Sequence, residues 1–89
     1  MQIHPIGLQQ DAGSDSEEAT TVGNAKLLYA YNTDGSSSQP ITIEEGSTGV
    51  QKASLDLEPK KAIIIQKAAK DEIHSDDPAV KFTPIAYSN

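Results

Sequence analysis

Apolar residues occur along this chain in short segments, several of which alternate apolar and polar positions, separated by Gly, Pro, Asp and Ser. Residues 25–32 are rich in strand-favouring side chains and end at an Asp34-Gly35 turn, and residues 41–44 alternate apolar and polar positions after Pro40. Residues 25–32 therefore predict a strand, and the alternation in residues 41–44 predicts a short half-buried strand, because alternate side chains of an extended chain point to opposite sides. We expect the second strand to pair with the first.

The C-terminal half continues this pattern. In residues 50–58, alternate positions are apolar and polar, which is typical of a sheet with one solvent-exposed face. The apolar set is Ala53, Leu55 and Leu57, and the polar set is Lys52, Ser54, Asp56 and Glu58. Residues 62–66 form a β-branched run that favours a buried strand, although residues 60–72 also admit a helix. Residues 67–75 predict a loop with one helical turn or a short strand around Ile73.

The last predicted strand covers residues 79–87. Its core face carries Val80, Phe82 and Pro84, and a bulge or kink near Pro84 is expected to move Ile85 onto that side. Strands at such short intervals predict an all-β fold, a small antiparallel β-sandwich or a partly open barrel of five to seven strands with an extended N-terminal arm. We expect residues 1–9 to form the arm, residues 10–21 an acidic polar loop, and residues 22–89 a single β domain.

Composition narrows the classes of function. A chain of 89 residues, 36% of them hydrophobic, buries only about 60–65% of its unfolded surface, so its stability is expected to be marginal and to gain from partners. The absence of Cys excludes a disulfide scaffold and a thiolate metal site. A net charge of −6 without Arg argues against nucleic-acid binding. No stretch resembles a membrane span or an export signal.

Candidate metal ligands are sparse, and we expect no cofactor. His4 and His74 are expected to be an exposed residue of the arm and a loop residue, rather than metal ligands or pH sensors. Residues 32–35 resemble the middle of a calcium-binding loop, but Ala30 and Ile41 stand where ligands are needed, so a turn is favoured. A solvated loop is also favoured for the acidic group, which consists of Asp71, Glu72, Asp76 and Asp77.

Motifs for nucleophilic catalysis, phosphate binding and dinucleotide binding are missing from the sequence. We therefore expect no enzymatic activity, and the candidate function is binding to a partner. Tyr29 and Tyr31 fall on one face of a strand, where they either pack in the core or form a contact face for a sugar or a protein. On the arm, Ile3, Ile6 and Leu8 either clamp a neighbouring subunit or fold back onto the chain's own sheet. These five residues are the candidate partner-binding residues.

The order of turns and strands between residues 23 and 87 resembles a known class of proteins. It consists of Gly23-Asn24-Ala25-Lys26-Leu27, the turn Gly46-Ser47-Thr48-Gly49, the strand Ala53-Ser54-Leu55-Asp56-Leu57, the turn Glu58-Pro59-Lys60, the run Ala62-Ile63-Ile64-Ile65-Gln66-Lys67, then Asp71-Glu72-Ile73, and finally Val80-Lys81-Phe82-Thr83-Pro84-Ile85-Ala86-Tyr87. This order is similar to that of the small β-sandwich virion proteins of tailed bacteriophages, particularly those of cyanobacterial and marine phages.

The resemblance implies a virion protein that supplies contacts and no catalysis. The expected function is that of a capsid decoration or cement protein, assembled in the host cytoplasm and placed on the capsid surface, where it stabilises capsomer contacts. Its expected partners are the major capsid protein or another virion protein, and copies of itself in a trimer or another symmetric assembly. The alternatives are a neck, tail or fibre-attachment component, and a carbohydrate-binding β module that uses Tyr29 and Tyr31.

Overall fold

The computed structural model describes residues 2–12 and 19–88 and shows eight strands. They are β1 (Gln2–Pro5), β2 (Gln10–Asp11), β3 (Leu27–Asn32), β4 (Gln39–Glu44), β5 (Gln51–Leu57), β6 (Ala62–Gln66), β7 (Glu72–Ser75) and β8 (Val80–Ser88). Helices are absent from these residues, so the all-β prediction is confirmed. Two of the eight strands, β1 and β2, come from the segments predicted as the arm and the acidic loop.

The strands form two antiparallel sheets that pack face to face and do not close into a barrel. The larger sheet has the order β1-β8-β3-β6, with β2 also paired to β8, and the smaller sheet has the order β5-β4-β7. Buried apolar side chains from both sheets and the connecting segments form one core, which consists of Ala12, Val22, Ala25, Leu28, Ala30, Ile41, Leu57, Ile65, Ile73, Val80 and Phe82. The fold is therefore a small β-sandwich, and the strand interpretation of residues 62–66 is confirmed.

The predicted pairing of the first two strong strands is wrong. β3 pairs with β6 and β8, whereas β4 pairs with β5 and β7 in the other sheet. The intervening residues 33–38 exceed the length of about two to five residues that tight hairpins use, and they carry the chain from one sheet to the other. The Asn32 side chain holds this crossing, because its amide nitrogen donates to the carbonyl oxygens of Ser37 and Leu57, both at 3.0 Å.

The alternation predicted for residues 50–58 is present in β5, but its apolar face is only partly covered. Leu57 is buried, whereas Ala53 and Leu55 are exposed, Leu55 to 37%. Leu55 pairs with the core residue Ile41, so both side chains point towards the larger sheet. Leu55 remains exposed because β5 is an edge strand that the larger sheet does not fully cover.

The arm folds back onto its own chain, which is one of the two alternatives open from the sequence. β1 pairs with residues 85–88 of β8, and β2 pairs with Lys81 and Phe82. Pro84 accepts a hydrogen bond from the Ile6 amide at 2.9 Å but has no N–H to return, and residues 7–9 bulge away at this point. The proline therefore explains why the arm is two short strands. Residues 13–18 of the predicted acidic loop lie outside the described residues.

The prediction that a bulge near Pro84 moves the Ile85 side chain onto the core side is wrong. Val80, Phe82 and Pro84 are buried on the inner face as expected, but Ile85 lines an outer groove together with Tyr29 and Thr83. Ile85 is buried because β1 lies beside it, with Pro5 as its direct pairing partner. Regular alternation of side chains thus continues through the proline.

A buried serine provides a test of the core. Ser75 Oγ is enclosed without a hydrogen-bond partner in the described parts of the chain, and Ser75 pairs with Ile41. Because an unpaired buried hydroxyl costs free energy, we expect Ser75→Ala to leave the free energy of unfolding unchanged or to raise it by about 1 kcal/mol. Urea titration measures the change, with the exposed Ser54→Ala as control. A loss above about 1 kcal/mol would contradict the arrangement described for this hydroxyl.

Candidate interaction surface

The outer face of the larger sheet carries an unusual share of apolar side chains. Opposite residues of antiparallel strands share a face, so Tyr29 lies beside Ile64 of β6 on one side and Thr83 of β8 on the other. Pro5 lies beside Ile85 in the same way. We call this set the tyrosine face: Ile3, Pro5, Tyr29, Tyr31, Ile64, Thr83 and Ile85.

The tyrosine face is continuous and partly open to solvent. The exposed fractions are 46% for Ile3, 39% for Tyr29 and 37% for Ile64. Ile3, Tyr29 and Ile85 help to line one shallow groove of about 300 Å³ between the arm and β3. An apolar face of this kind, with a tyrosine at its centre, has the composition typical of protein contact surfaces.

One charged pair borders this face. Lys81 lies beside Tyr31 in the β3–β8 pairing, and its ammonium group is 2.6 Å from a carboxylate oxygen of Asp11. The neighbouring position on β6 is Ala62. The Lys81 charge is thus already paired, and this end of the tyrosine face offers little net charge to a partner.

The structure brings together three of the five candidate partner-binding residues. Ile3, Tyr29 and Tyr31 lie on the tyrosine face, and core positions of β3 are held by Leu28, Ala30 and Asn32 instead. This placement favours a contact face for the two tyrosines over core packing. Ile6 and Leu8 stand apart at the bulge of the arm, where they border a second open groove of about 650 Å³. Leu8 is 89% exposed.

The sequence did not predict Ile64 as a surface residue, because a run of three isoleucines is typical of a wholly buried strand. The alternation of side chains along the strand could have identified it. Ile63 and Ile65 face the core side, and Ile64 lies in phase with the polar Gln66.

The histidines occupy different environments. His4 is exposed on the arm, as predicted. His74 was predicted in a loop, which is wrong, because it lies in β7 and is buried beside β4. Its Nε2 is 3.5 Å from a carboxylate oxygen of Glu44, and its Nδ1 is 3.3 Å from the Ser75 carbonyl oxygen. The register of β4 with β7 brings the two side chains together, since Thr42 pairs with His74 and Glu44 with Glu72.

The acidic residues serve turns and ion pairs. Asp34 accepts the backbone N–H groups of Ser36 at 2.9 Å and Ser37 at 3.2 Å, and these bonds hold the pKa of its carboxyl below the usual value. The predicted turn at this position is confirmed. Asp71 is 2.9 Å from the Lys52 ammonium group, and Asp77 accepts the Ala79 amide at 2.8 Å. Residues 2–12 and 19–88 contain no cluster of three or more side chains suited to a metal ion.

Lys67 is a buried cation held by backbone oxygens. Its ammonium group donates to the carbonyl oxygens of Ala25 at 2.7 Å, Ala68 at 3.3 Å and Ala69 at 3.5 Å. Burial lowers the pKa of Lys67, although the negative charge of Asp71 acts in the opposite direction. This lysine closes the end of β6 where the chain turns towards β7.

Because the pKa of Lys67 is lowered in the folded chain, the free energy of unfolding depends on pH in the alkaline range. Between the folded-state pKa and the ordinary value of 10.5, the unfolded chain binds more protons, so the free energy of unfolding rises with pH. We expect this rise, followed by urea titrations at pH values that approach 10.5 from below, to be reduced in Lys67→Met. The pKa of Lys52 is raised by its hydrogen bond to Asp71, so Lys52 titrates above this window. Parallel pH profiles of the two proteins would contradict the shift.

Comparison with known proteins adds no identity: the chain matches no protein-family model, no curated protein and no solved structure. Within the described residues, no helix is long and apolar enough to cross a membrane. The chemistry of the molecule is thus argued from its own side chains, and the tyrosine face is its strongest candidate for a functional site.

Proposed function

We propose that this chain is a non-enzymatic structural protein of a phage virion, a capsid decoration protein that binds the outer shell through the tyrosine face. The observation that carries the proposal is the open apolar face across the larger sheet, centred on Tyr29. The order of turns and strands similar to small phage virion proteins supports the setting. The partners in this proposal are the major capsid protein and other copies of the chain in a symmetric assembly.

Binding to a shell would add stability to a protein whose hydrophobic core is small. On the tyrosine face, Ile3, Tyr29 and Ile64 remain over a third exposed in the isolated chain, and burial of apolar surface contributes about 25 cal/mol per Å². A shell that binds only the folded chain also stabilises it by mass action. A small acidic protein with an apolar contact face on one sheet is well suited to such a role.

Two other functions are distinguished by where the protein binds. A neck or tail component would form a closed ring at one vertex rather than occupy the whole shell. A carbohydrate-binding module is favoured by the pair Tyr29 and Tyr31, since tyrosine rings stack on sugars and their hydroxyls form hydrogen bonds. The groove beside Tyr29 also has His4, Gln9 and Thr83 in its lining. Ile3, Ile64 and Ile85 nevertheless make the face mainly apolar, so a protein partner fits this face better.

The test compares two surface variants in binding to undecorated shells. Tyr29→Ser removes the centre of the tyrosine face, and we expect a loss of affinity of about 30-fold, as for a central contact residue. Val50→Ser is the matched control, because Val50 is an exposed apolar residue beside the smaller sheet. Both variants should remain folded by circular dichroism. Equal binding of the two variants would contradict the role of the tyrosine face, and binding of free sugars by the wild type would favour the carbohydrate-binding module.

A further inference from the structure

The two sheets have four edges, and three of them are protected. Beside β8, the arm is interrupted by its bulge and carries Pro5. In β5, Lys52 and Asp56 place charges within the strand, and the β4–β5 pairing is irregular at Ile43 and Glu44. The edge at β7 is covered in part by Thr20, which exchanges two backbone hydrogen bonds with Ile73. Such features are the usual means of preventing further strand pairing.

The edge at β6 has none of these features. Its five residues contain no charge, no proline and no bulge, and three of them are isoleucine. Beyond β3, no strand of the described residues pairs with β6. An apolar edge strand of this kind is a template for another strand.

The free backbone groups of this edge belong to Ala62, Ile64 and Gln66. Hydrogen bonds from Asn32 N to Lys61 O at 3.0 Å and from Lys67 N to Lys26 O at 2.9 Å fix the phase of the β3–β6 ladder. Because bonded residues alternate in an antiparallel pair, residues 61, 63, 65 and 67 face β3 and the others face outwards. We call the outward backbone groups of Ala62, Ile64 and Gln66 the β6 edge.

Unpaired lysines surround the ends of this edge. Lys60 and Lys61 precede β6, while Lys26 and Lys70 lie at its far end, and none of the four has an ion pair among the described residues. Backbone hydrogen bonds place Asp34 and Glu58 near the first two, whereas Asp71, which follows Lys70, is already paired with Lys52. At the far end, the backbone carbonyl of Lys26 accepts a hydrogen bond from the Lys67 amide. The Lys70 ammonium group is 3.5 Å from Asn24 Oδ1.

From this arrangement we propose that the β6 edge binds an extended strand of a different protein, apolar at alternate positions and acidic at the end that meets Lys26 and Lys70. The strand adds antiparallel, as in every other pair of the larger sheet. The side chains of the added strand that lie on the outer face of the sheet extend the apolar row formed by Tyr29 and Ile64. This mode supplies affinity through main-chain hydrogen bonds and selectivity through charge.

A second copy is a poor occupant of the same edge. Symmetric antiparallel pairing about Ile64 would place the lysines at the two ends of β6 near those of the other copy. Like charges that meet across such an interface disfavour the pairing. The lysines therefore select against self-pairing and for an acidic strand. This proposal concerns the edge and not the tyrosine face, so it does not depend on shell binding.

The probe is a synthetic peptide with three N-terminal acidic residues followed by alternating Val and Thr. Fluorescence anisotropy measures its affinity, and amide hydrogen exchange identifies the residues that become protected. We expect slowed exchange at the amides of Ala62, Ile64 and Gln66, and no change in β5. We also expect the double variant Lys26→Gln, Lys70→Gln to bind about tenfold more weakly, while the matched control Lys81→Gln binds as the wild type.

Two modified peptides complete the test without altering the protein. N-methylation of alternate residues on the pairing side keeps the side chains but removes the hydrogen-bond donors, and it should abolish binding. A peptide with Lys in place of the acids should bind at least tenfold more weakly than the acidic peptide. The proposal is overturned if the N-methylated peptide binds equally, if exchange at the three amides is unchanged, or if they become protected by self-association without peptide.

Discussion

Replacement of Asn32 by Leu is expected to lower the free energy of unfolding by about 3 kcal/mol. Asn32 is fully buried, and its amide group binds the Ser37 and Leu57 carbonyl oxygens as donor and the Asp34 amide as acceptor. Leucine has a similar volume but leaves these three backbone groups, of which the bond to Leu57 is buried and the other two are part-buried, without their partner. Urea titration followed by circular dichroism measures the loss, and a domain of this size has little stability to spare.

The matched control for Asn32 is Gln51→Leu, which introduces the same side chain at an exposed position of an edge strand. This variant should change the free energy of unfolding by less than about 0.5 kcal/mol. Asn32→Asp adds a second comparison, because a carboxylate can still accept the Asp34 amide but cannot donate to the two carbonyl oxygens. If Asn32→Leu were as stable as the wild type, the crossing between the sheets would not depend on this side chain.

Replacement of Phe82 by Ala is expected to lower the free energy of unfolding by about 4 kcal/mol, the largest effect of any single change considered. Phe82 has the largest side chain among the fully buried residues, and it lies in β8 between Ala30 of β3 and Gln10 of β2. Its loss leaves a cavity in the core that its cross-strand neighbour Ala30 is too small to fill. At room temperature, most of the variant is expected to be unfolded.

Phe82→Leu is the informative companion, because a smaller cavity should cost about 1 to 2 kcal/mol and leave the chain folded. The ratio of the two losses separates removal of volume from disruption of the strand. A loss below about 1 kcal/mol for Phe82→Ala would mean that the core is not centred on β8.

The fold class was predictable because the period of two is strong and local. Ala62–Gln66 and the face of Val80, Phe82 and Pro84 followed from it directly. Partner choice was not predictable, because hydrogen bonding between strands carries little sequence information beyond the lengths of the connections. The residues between β3 and β4 resemble a hairpin turn by composition, but their length and the Asn32 hydrogen bonds take the chain to the other sheet.

The candidate site was partly predictable for the same physical reason. Tyr29 and Tyr31 share a face by alternation alone, but which face is buried depends on the partner sheet. Ile85 and His74 show the limit of local reasoning. The first is covered by the distant arm, and the second is buried because β7 pairs with β4. Such long-range contacts decide burial, and a single sequence does not contain them in readable form.

The two exposed features of the larger sheet lie next to each other. The tyrosine face and the β6 edge meet at Ile64, whose side chain belongs to the face and whose backbone belongs to the edge. A partner on the face and a strand at the edge can therefore be contacted side by side. Variants at Tyr29 and at Lys26 and Lys70 separate the two contacts, since the first changes the face and the second changes the edge.

The most direct test of the proposed function is to mix the purified protein with undecorated phage shells and to image the particles. A capsid decoration protein should give density at regular local-symmetry sites over the whole shell, with the sheet that carries Tyr29 turned towards the capsid. Density restricted to one vertex, absence of density, or a bound domain with the tyrosine face turned to solvent would contradict the proposed function.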